Sequence, residues 1–235
     1  MARTTRDSVA IVTGSARNIG RAIALELAAS GVAVLVNAKT SQNALDEVVN
    51  TITVAGGRAA AHLADVGNPQ AASDLIAAAI REFGQLDILI NNAAIRRESR
   101  FEMLTWAEWR EVCNVILNGA FLCSQAALPY LRRSAAASIV NIGGMSAHNG
   151  SSGRAHVIAA KAGLVGLTRA LAHDLGADSV TVNSVVPGLI QTARGSSSGS
   201  TPAHHAIHQT LVEHKDYLKR LLPSLVISAA TTLIL

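Results

Sequence analysis

Short runs of β-branched and aliphatic residues alternate with longer Ala- and Leu-rich stretches along most of this chain. Six runs are apolar over most of their length, which is typical of strands covered on both faces: Val9–Thr13, Val32–Asn37, Arg58–Leu63, Leu86–Ile90, Ser138–Ile142 and Val180–Val185. The stretches between them have helical patterning: Asn18–Ser30, Gln42–Ala55, Pro69–Phe83, Ala107–Arg132 and Arg154–Leu175. This alternation predicts an α/β fold built on a doubly wound parallel sheet with right-handed crossovers.

Length and composition favour a single domain. The 235 residues are 49% hydrophobic and 15% charged, which suits one compact domain spanning residues 1–235. No linker-like segment precedes residue 195, and the Gly- and Ser-rich stretch 194–201 predicts a mobile loop. The two cysteines, Cys113 and Cys123, lack the spacing of a metal or redox motif, so we expect reduced thiols.

Charge and hydropathy narrow the range of partners. The net charge is +4 and the basic residues are scattered, which favours small anionic ligands over nucleic acid. The N-terminus lacks the apolar core of a signal peptide, and the apolar stretch 221–235 falls short of the ~20 residues of a membrane span. His204 and His205 are isolated from carboxylates and cysteines, so no metal site is expected. We expect a cytoplasmic protein without nucleic-acid or membrane partners.

The first predicted strand runs directly into a glycine-containing turn, Thr13–Gly20 (TGSARNIG), which a helix follows. This order forms an anion site, because backbone N–H groups and the helix dipole point at a phosphate. Asn18 stands where another glycine is expected, and asparagine is the residue after glycine that best tolerates a left-handed conformation. As the first turn of an α/β chain, it predicts a Rossmann-like dinucleotide site, with an ordinary βα turn as the alternative.

Further motifs follow the later strands. They are Asp65-Val66, Asn91-Asn92-Ala93-Ala94, IVNI at 139–142, AKAGLVGLTRALA at 160–172, and Pro187-Gly188 with Thr192 close behind. Together with the first turn, which fits the pattern TGxxxGIG apart from Asn18, they resemble the short-chain dehydrogenase/reductase family. The resemblance covers about residues 8 to 195, and the tail 213–235 diverges from it.

The resemblance implies where a nicotinamide dinucleotide binds. Asp65 would hydrogen-bond the adenine and Val66 would pack against it, whereas Asn92 and Ala93 would line the cleft. Lys161 would bond the hydroxyls of the nicotinamide ribose, and the segment from Pro187 onward would hold the nicotinamide amide. The expected cofactor-binding set is Gly14, Arg17, Asn18, Ile19, Gly20, Lys39, Asp65, Val66, Asn92, Ala93, Lys161, Pro187, Gly188, Ile190 and Thr192.

The end of the second predicted strand favours NADP over NAD. An NAD site usually has an acidic residue there to bind the ribose hydroxyls, but the stretch 36–40 reads VNAKT. Lys39 and Arg17 are both placed to meet a 2′-phosphate. The alternative is that Lys39 is a solvated loop charge without a partner.

The resemblance implies a catalytic Ser, Tyr, Lys and Asn, and only the lysine is matched, by Lys161. The tyrosine position, four residues before the lysine, is Val157; the serine position is Gly144 and the asparagine position is Ile116. None of these three side chains can carry a proton, and general acid–base catalysis is worth about 10²–10⁴-fold. The chain is therefore expected to be an atypical member without the usual Ser and Tyr.

Two residues near these positions are candidate substitutes for the missing proton donor. His156 precedes Lys161 by five residues, and Ser146 lies two residues beyond Gly144. Histidine is a common proton carrier near neutral pH. However, His156 points about 100° around a helix from Val157, so a packing or capping role is the alternative. The expected catalytic set is Lys161, His156 and Ser146.

Three functions fit these observations. The first is an NADP-dependent oxidoreductase acting on a small carbonyl or alcohol substrate with a non-standard proton donor. The second is an NAD(P)-binding protein with weak or no catalysis, such as a sensor or partner subunit. The third is a non-redox enzyme, such as an epimerase or dehydratase, on the same fold.

The resemblance also suggests a homodimer or homotetramer formed through the two long predicted helices at 107–132 and 154–175. The substrate-specificity loop is expected around residues 194–208. Within the divergent tail, Leu225–Ile227 and Thr231–Leu235 are apolar enough to supply one further strand.

Overall fold

A computed structural model describes residues 7–188, residue 190 and a strand at 232–234. The strands are β1 (Val9–Val12), β2 (Ala33–Ala38), β3 (Ala59–Leu63), β4 (Ile88–Asn91), β5 (Ser138–Ile142), β6 (Thr181–Val186) and β7 (Thr232–Ile234). The α-helices are α1 (Asn18–Ala29), α2 (Gln42–Val54), α3 (Pro69–Phe83), α4 (Trp106–Cys113), α5 (Gly119–Leu131), α6 (Ser146–Asn149) and α7 (Ala155–Leu175). Short 3₁₀ turns lie at Phe101–Met103 and Gly176–Asp178, and a π-helical segment, Asn114–Asn118, joins α4 to α5.

The strands form one parallel sheet in the order β3-β2-β1-β4-β5-β6-β7. The chain moves outward from β1 to β3, then returns to the other side of β1 at β4. The predicted doubly wound parallel sheet is therefore confirmed. Ligands of such sheets bind at the carboxyl ends of the strands where the order reverses, here between β1 and β4.

The six predicted strands all form, with ends displaced by at most two residues. The largest displacement is at β4, which begins at Ile88 rather than Leu86. Of the two tail candidates, Thr231–Leu235 contains β7, which pairs with β6 from Thr232 to Ile234. Leu225–Ile227 lies outside the described residues.

The predicted helix at 107–132 is not one regular α-helix. It begins at Trp106, changes to π geometry over Asn114–Asn118 and resumes as α5. A π segment inserts one extra residue per turn and turns the following side chains toward new neighbours. Cys113 and Cys123, on either side of this segment, are free thiols.

Two apolar layers cover the faces of the sheet. On one face α1 and α2 pack through buried residues such as Leu27 and Leu45 against β1 and β2. On the other face α3 and α5 pack through residues such as Leu75 and Ala127, and the end of α7 joins them. Because β1 and β2 are buried along their whole length, their near-continuous apolar runs are explained by cover on both sides.

Two helical stretches, Trp106–Leu131 and Ala155–Asp178, are long and apolar enough to cross a membrane by length and composition. Within the apolar windows 39% and 33% of the residues are buried inside the protein. Core helices of soluble proteins pass the same test, so these stretches are weak evidence for a membrane location.

Candidate cofactor and active site

The turn between β1 and α1 adopts the geometry that its sequence predicts. Gly14 has φ 62° and Asn18 has φ 52°, so the prediction that Asn18 takes a left-handed conformation is confirmed. A Cβ atom on Gly20 would lie 2.4 Å from the Gly14 carbonyl oxygen, so the turn closes tightly on the helix. Arg17 occupies the cap position of α1 without a side-chain cap hydrogen bond, and the first turn holds no acidic residue. The helix N-terminus is suited to an anion.

Asn92 and Ala93 hold this turn in place. The Asn92 side chain donates to the carbonyl oxygens of Thr13 at 2.9 Å and Gly14 at 3.0 Å. The Thr13 hydroxyl accepts from the backbone N–H groups of Asn92 at 2.9 Å and Ala93 at 3.0 Å. The two residues expected to line the cleft are thus beside it, and the Asn92 side chain is used to fix the turn.

Asn37, at the end of β2, has a structural role that the sequence analysis missed. Its amide oxygen accepts from the Gly14 N–H at 3.3 Å, and its amide nitrogen donates to the carbonyls of His62 at 3.2 Å and Ala64 at 3.1 Å. Asn37 is 1% exposed, so it joins β1, β2 and β3 from inside the protein. The signal was an asparagine at the end of an otherwise apolar strand.

Lys39 and Asp65 form an ion pair at the adenine end of the expected site. The Lys39 Nζ lies 2.7 Å from the Asp65 carboxylate, which also accepts from the Gly67 N–H at 3.0 Å. The hydrogen bond from Lys39 lowers the pKa of Asp65. Lys39 is therefore not an unpartnered loop charge, and it stands at the same edge as the exposed Arg17.

Val66 is buried rather than open to a ligand. It is 4% exposed and packs against α5, where a Cβ on Gly119 would lie 2.8 Å from a Val66 methyl. The neighbouring Gly67 carbonyl accepts from the Asn114 side chain at 3.0 Å. The loop after β3 is therefore attached to the π-helical segment.

The π-helical segment turns Ile116 toward α7. Ile116 is 2% exposed and forms an apolar cluster with Val112 and Ala160, against which Val157 packs. We call these four residues the apolar wall. The positions of Ile116 and Val157, expected from the resemblance to be polar, are thus joined by aliphatic contact.

The ends of β5 and β6 bring the remaining site residues together. The Gly143 N–H donates to the Val185 carbonyl at 2.7 Å, and the Met145 N–H donates to the Pro187 carbonyl at 3.1 Å. Gly144 lies between these two links, and a Cβ added to it would meet no atom of the described residues within 4 Å. Among the residues that the structure describes, the site therefore has open space at Gly144.

Of the other expected nicotinamide contacts, Gly188 is exposed and Ile190 is half-buried. Thr192 and the expected specificity loop at 194–208 lie outside the described residues.

Lys161 reaches the same edge from α7. Its Nζ donates to the Ile142 carbonyl at the end of β5, and the residue is 8% exposed. Burial lowers the pKa of Lys161 to about 8, with a smaller contribution from the positive charge of Arg96. An amine with this pKa changes its charge near physiological pH.

The buried lysine makes stability depend on pH in a defined direction. Below pH 8 Lys161 is charged in both folded and unfolded chains, and the cost of burying the charge is largest. Between about 8 and 10.5 the unfolded chain binds more protons, so the free energy of unfolding rises with pH. Relative to Lys161→Met, wild type should gain about 3 kcal/mol across this range. Urea unfolding of both proteins from pH 7 to 10.5 measures the difference in their free energies of unfolding. If that difference does not change with pH, the pKa of Lys161 is not lowered by folding.

His156 and Ser146 lie in different surroundings. His156 has no exposed surface, and neither of its ring nitrogens has a hydrogen-bond partner among the residues that the structure describes. Burial lowers the pKa of His156, with opposing charge effects from Glu108 and Arg97. Ser146 is half-buried at the start of α6, two residues from Gly144. The structure therefore brings Ser146 to the edge near Lys161 and encloses His156 within the protein.

A separate depression lies along α4 and the π-helical segment. Its volume is about 580 Å³, and Trp106, Trp109 and Cys113 are among its lining residues. It is lined by helix residues rather than strand ends, so it is distinct from the candidate site.

Two large apolar side chains are exposed on the helical stretch that is expected to form an oligomer interface. Trp106 is 70% exposed and Phe121 is 45% exposed. The oligomeric state stays a prediction.

Comparisons with known proteins agree with this geometry. The family model for short chain dehydrogenases matches residues 8–203. A 3-oxoacyl-[acyl-carrier-protein] reductase from Synechocystis is 40% identical over 184 residues, covering 78% of this chain and 74% of that protein. A (2S)-[(R)-hydroxy(phenyl)methyl]succinyl-CoA dehydrogenase subunit from Thauera aromatica is 39% identical over 187 residues, covering 80% and 75%.

A solved structure shows the same fold along almost the whole chain. It is a short chain dehydrogenase from Burkholderia cenocepacia in complex with NADP, with a TM-score of 0.87 and 32% identity. The alignment covers 96% of this chain and 93% of that one. The range matched by the family model, residues 8–203, includes the turn after β1, the ends of β4 to β6 and Lys161. The chain belongs to the short chain dehydrogenase family.

Proposed function

We propose that the protein is an NADP-dependent oxidoreductase that interconverts a small carbonyl compound and its alcohol with a non-standard proton donor. One observation carries the proposal: the turn with left-handed Gly14 and Asn18 leads into the N-terminus of α1 at the carboxyl ends of the strands, where Lys161 bonds the end of β5. A bound nicotinamide dinucleotide supplies hydride at such an edge. The chain's own residues bind and orient it, and move the accompanying proton.

The residues present fit a dinucleotide. Gly14 and Gly20 allow the turn to close tightly against Ala93 and Asn92, and the uncapped start of α1 offers N–H donors to a pyrophosphate. Lys161 has N–H groups beyond the one used by Ile142, which suits ribose hydroxyls. Asn92 and Ala93, at the end of β4, lie beside this turn. Support also comes from the related structure in complex with NADP.

The preference for NADP follows from the charges beside β2. The strand ends at Ala38, so no acidic side chain stands at its end. The Asn37 side chain is used in hydrogen bonds inside the protein. Lys39 and Arg17 then supply positive charge for a 2′-phosphate. Because Asp65 already orients Lys39, the ammonium is partly held before the ligand arrives.

Replacing Lys39 by Ala should lower the affinity for NADPH about tenfold and leave the affinity for NADH nearly unchanged. The reason is that only NADPH carries the phosphate that Lys39 would contact. Titration of cofactor fluorescence measures both constants. Arg58→Ala is the matched control, because it removes an exposed cation at the opposite end of β3. If the affinities for NADPH and NADH fall equally, or if neither falls, Lys39 does not contact the 2′-phosphate.

Catalysis is proposed to be slower than in relatives with the usual residues. The family positions of Tyr, Ser and Asn correspond to Val157, Gly144 and Ile116 in this chain. The apolar wall supplies no proton in their place, which also supports the second candidate, a dinucleotide-binding protein without chemistry. Lys161, His156 and Ser146 are the residues proposed to compensate.

Turnover separates the two candidates. The purified protein is incubated with NADPH and a panel of carbonyl compounds, and NADPH consumption is followed by absorbance over hours. A 3-oxoacyl thioester heads the panel, because reductases of such groups are among the relatives. Consumption coupled to alcohol formation supports the oxidoreductase. Saturable NADPH binding with no alcohol from any compound supports the binding protein instead.

We further propose a cytoplasmic homodimer or homotetramer formed through the α4–α5 and α7 stretches. The exposed Trp106 and Phe121 support an interface on this side. Sedimentation of the purified chain gives its mass directly; a monomer at micromolar concentration would contradict the proposal.

A further inference from the structure

We infer that Lys161 itself donates the proton to the substrate oxygen during carbonyl reduction and accepts it during alcohol oxidation. The inference rests on the proposed oxidoreductase function. It assigns to the lysine a direct step, in addition to holding the cofactor ribose.

The position of Lys161 suits this step. It lies one helical turn beyond Val157, so its side chain projects from the same face of α7. Its Nζ donates to the Ile142 carbonyl, two residues before the open space at Gly144. An ammonium group has three N–H donors, and Ile142 is its one hydrogen-bond partner in the described part of the chain. The other donors remain for groups that enter the cleft.

The surroundings make the ammonium a proton donor rather than a fixed charge. Ile116 and Ala160 are buried beside the lysine's own helix turn, and with Val157 they exclude water from that side. This burial lowers the pKa of Lys161 to about 8, close enough to neutrality for exchange with solvent. A general acid works best when its pKa is near the working pH.

The charged groups near the start of α7 are mostly neutralised by each other. Arg97 pairs with Glu111 on α4 at 2.7 Å, and Arg154 on the approach to α7 pairs with Glu98. Arg96 acts on Lys161 and favours its neutral form. His148 on α6 is exposed, and the strands β5 and β6 carry no charged residue.

The other two candidates are less suited. His156 has no exposed surface, so its ring cannot touch a substrate without a rearrangement of α7. Ser146 is accessible, but a hydroxyl needs an adjacent base to exchange protons near neutral pH. Ser146 has no side-chain hydrogen bond to such a base among the described residues. Lys161 combines a position at the end of β5, next to Gly144, with a suitable acidity.

Hydride for the carbonyl carbon would be supplied by the reduced cofactor bound at this edge, and the electrons of the C=O π bond would move onto oxygen. That oxygen takes a proton from the Lys161 ammonium, so one N–H bond breaks and one O–H bond forms. The resulting amine regains its proton from water before the next cycle. Alcohol oxidation runs through the reverse transfers with the oxidised cofactor.

The test compares pH profiles of carbonyl reduction at saturating NADPH. In wild type, kcat should be level below pH 8 and fall about tenfold per pH unit above it. Lys161→Met should lower kcat at least about 100-fold. Lys161→Arg keeps the charge but cannot release a proton, so its lower rate should show no inflection. NADPH dissociation constants, measured in parallel, separate the proton step from cofactor binding.

Rescue by added amines moves only if a proton passes through the amine, and NMR checks the acidity of Lys161 directly. Small alkylammonium ions should restore activity to Lys161→Ala, with rates that vary systematically with the pKa of the added amine. In the cofactor-free protein, NMR of labelled lysines should show one titration near pH 8 that disappears in Lys161→Met. The remaining lysines, Lys39, Lys215 and Lys219, serve as internal references.

Several outcomes would overturn the inference. A wild-type rate that does not change between pH 7 and 10, or a Lys161→Met rate within threefold of wild type, excludes direct donation and leaves the oxidoreductase proposal standing. If the inflection near pH 8 disappears in Ser146→Ala or His156→Ala but persists in Lys161→Arg, a residue other than Lys161 donates the proton. If wild-type protein binds NADPH but reduces no carbonyl, the proposed function fails, and the inference fails with it.

Discussion

Introducing Ser at position 144 and Tyr at position 157 together is expected to raise the rate of carbonyl reduction by about 10²–10³-fold. The phenol would stand one helical turn before Lys161, whose ammonium stabilises a phenolate and so makes the phenol a stronger acid. The serine hydroxyl would hydrogen-bond the substrate oxygen as charge develops on it. A gain of this size would support the proposal that Gly144 and Val157 limit the present rate.

The structure indicates that the first of these changes is easily accommodated. In the described part of the chain a Cβ at Gly144 meets no atom within 4 Å, and Val157 is only partly buried at the margin of the apolar wall. Ala159→Tyr, on the exposed face of the same helix, is the matched control and should leave the rate unchanged. Steady-state kinetics of wild type, the double variant and this control provide the comparison. No gain in a folded double variant that still binds NADPH would mean that Lys161 is misplaced for this chemistry.

Gly20→Ala is expected to weaken NADPH binding by about 10- to 100-fold. A Cβ at this position would lie 2.4 Å from the Gly14 carbonyl oxygen and 2.5 Å from the Asn92 side-chain nitrogen. Both atoms belong to the framework that fixes the phosphate turn, so the turn must open to admit the methyl group. The unfolding midpoint should fall as well, because the contacts are with atoms that cannot move freely.

Gly166→Ala on α7 is the control for this substitution. A Cβ there meets no atom within 4 Å, and the residue is exposed in a helix interior. Alanine at such a site stabilises the helix by about 0.5–1 kcal/mol. The thermal unfolding midpoints of the two variants should therefore shift in opposite directions, and NADPH affinity should fall in Gly20→Ala alone. Unchanged NADPH affinity in Gly20→Ala would show that the cofactor does not use the turn after β1.

The sheet could be predicted because its strands carry a strong local signal. Runs such as Val32–Asn37 are apolar on both faces, and a parallel strand between two helical layers requires that pattern. The left-handed conformation of Asn18 was also predictable, since few residues tolerate it. The π geometry at Asn114–Asn118 was not, because it depends on side-chain contacts across the fold, such as the bond from Asn114 to Gly67.

The candidate site was predictable in position but not in its internal bonding. Motifs at strand ends place Asn92 and Lys161 at one edge, yet the sequence does not show which atoms they contact. The Asn92 side chain fixes the turn, and the Lys161 ammonium bonds the Ile142 carbonyl. Pairing of Lys39 with Asp65 and enclosure of His156 likewise arise from residues distant in sequence. Such contacts are set by tertiary packing rather than by local pattern.

Deuterium transfer is the most direct test of whether the protein moves hydride from NADPH to a carbonyl. The NADPH carries deuterium at both C4 positions of the nicotinamide. Mass spectrometry after a long incubation with the carbonyl panel detects even a slow reaction. If the protein transfers hydride and Lys161 donates the proton, wild type should form an alcohol with one deuterium on its carbinol carbon. Lys161→Met should form much less of this alcohol. An NADPH complex that yields no deuterated alcohol from any carbonyl would show that the chain binds the cofactor without transferring hydride.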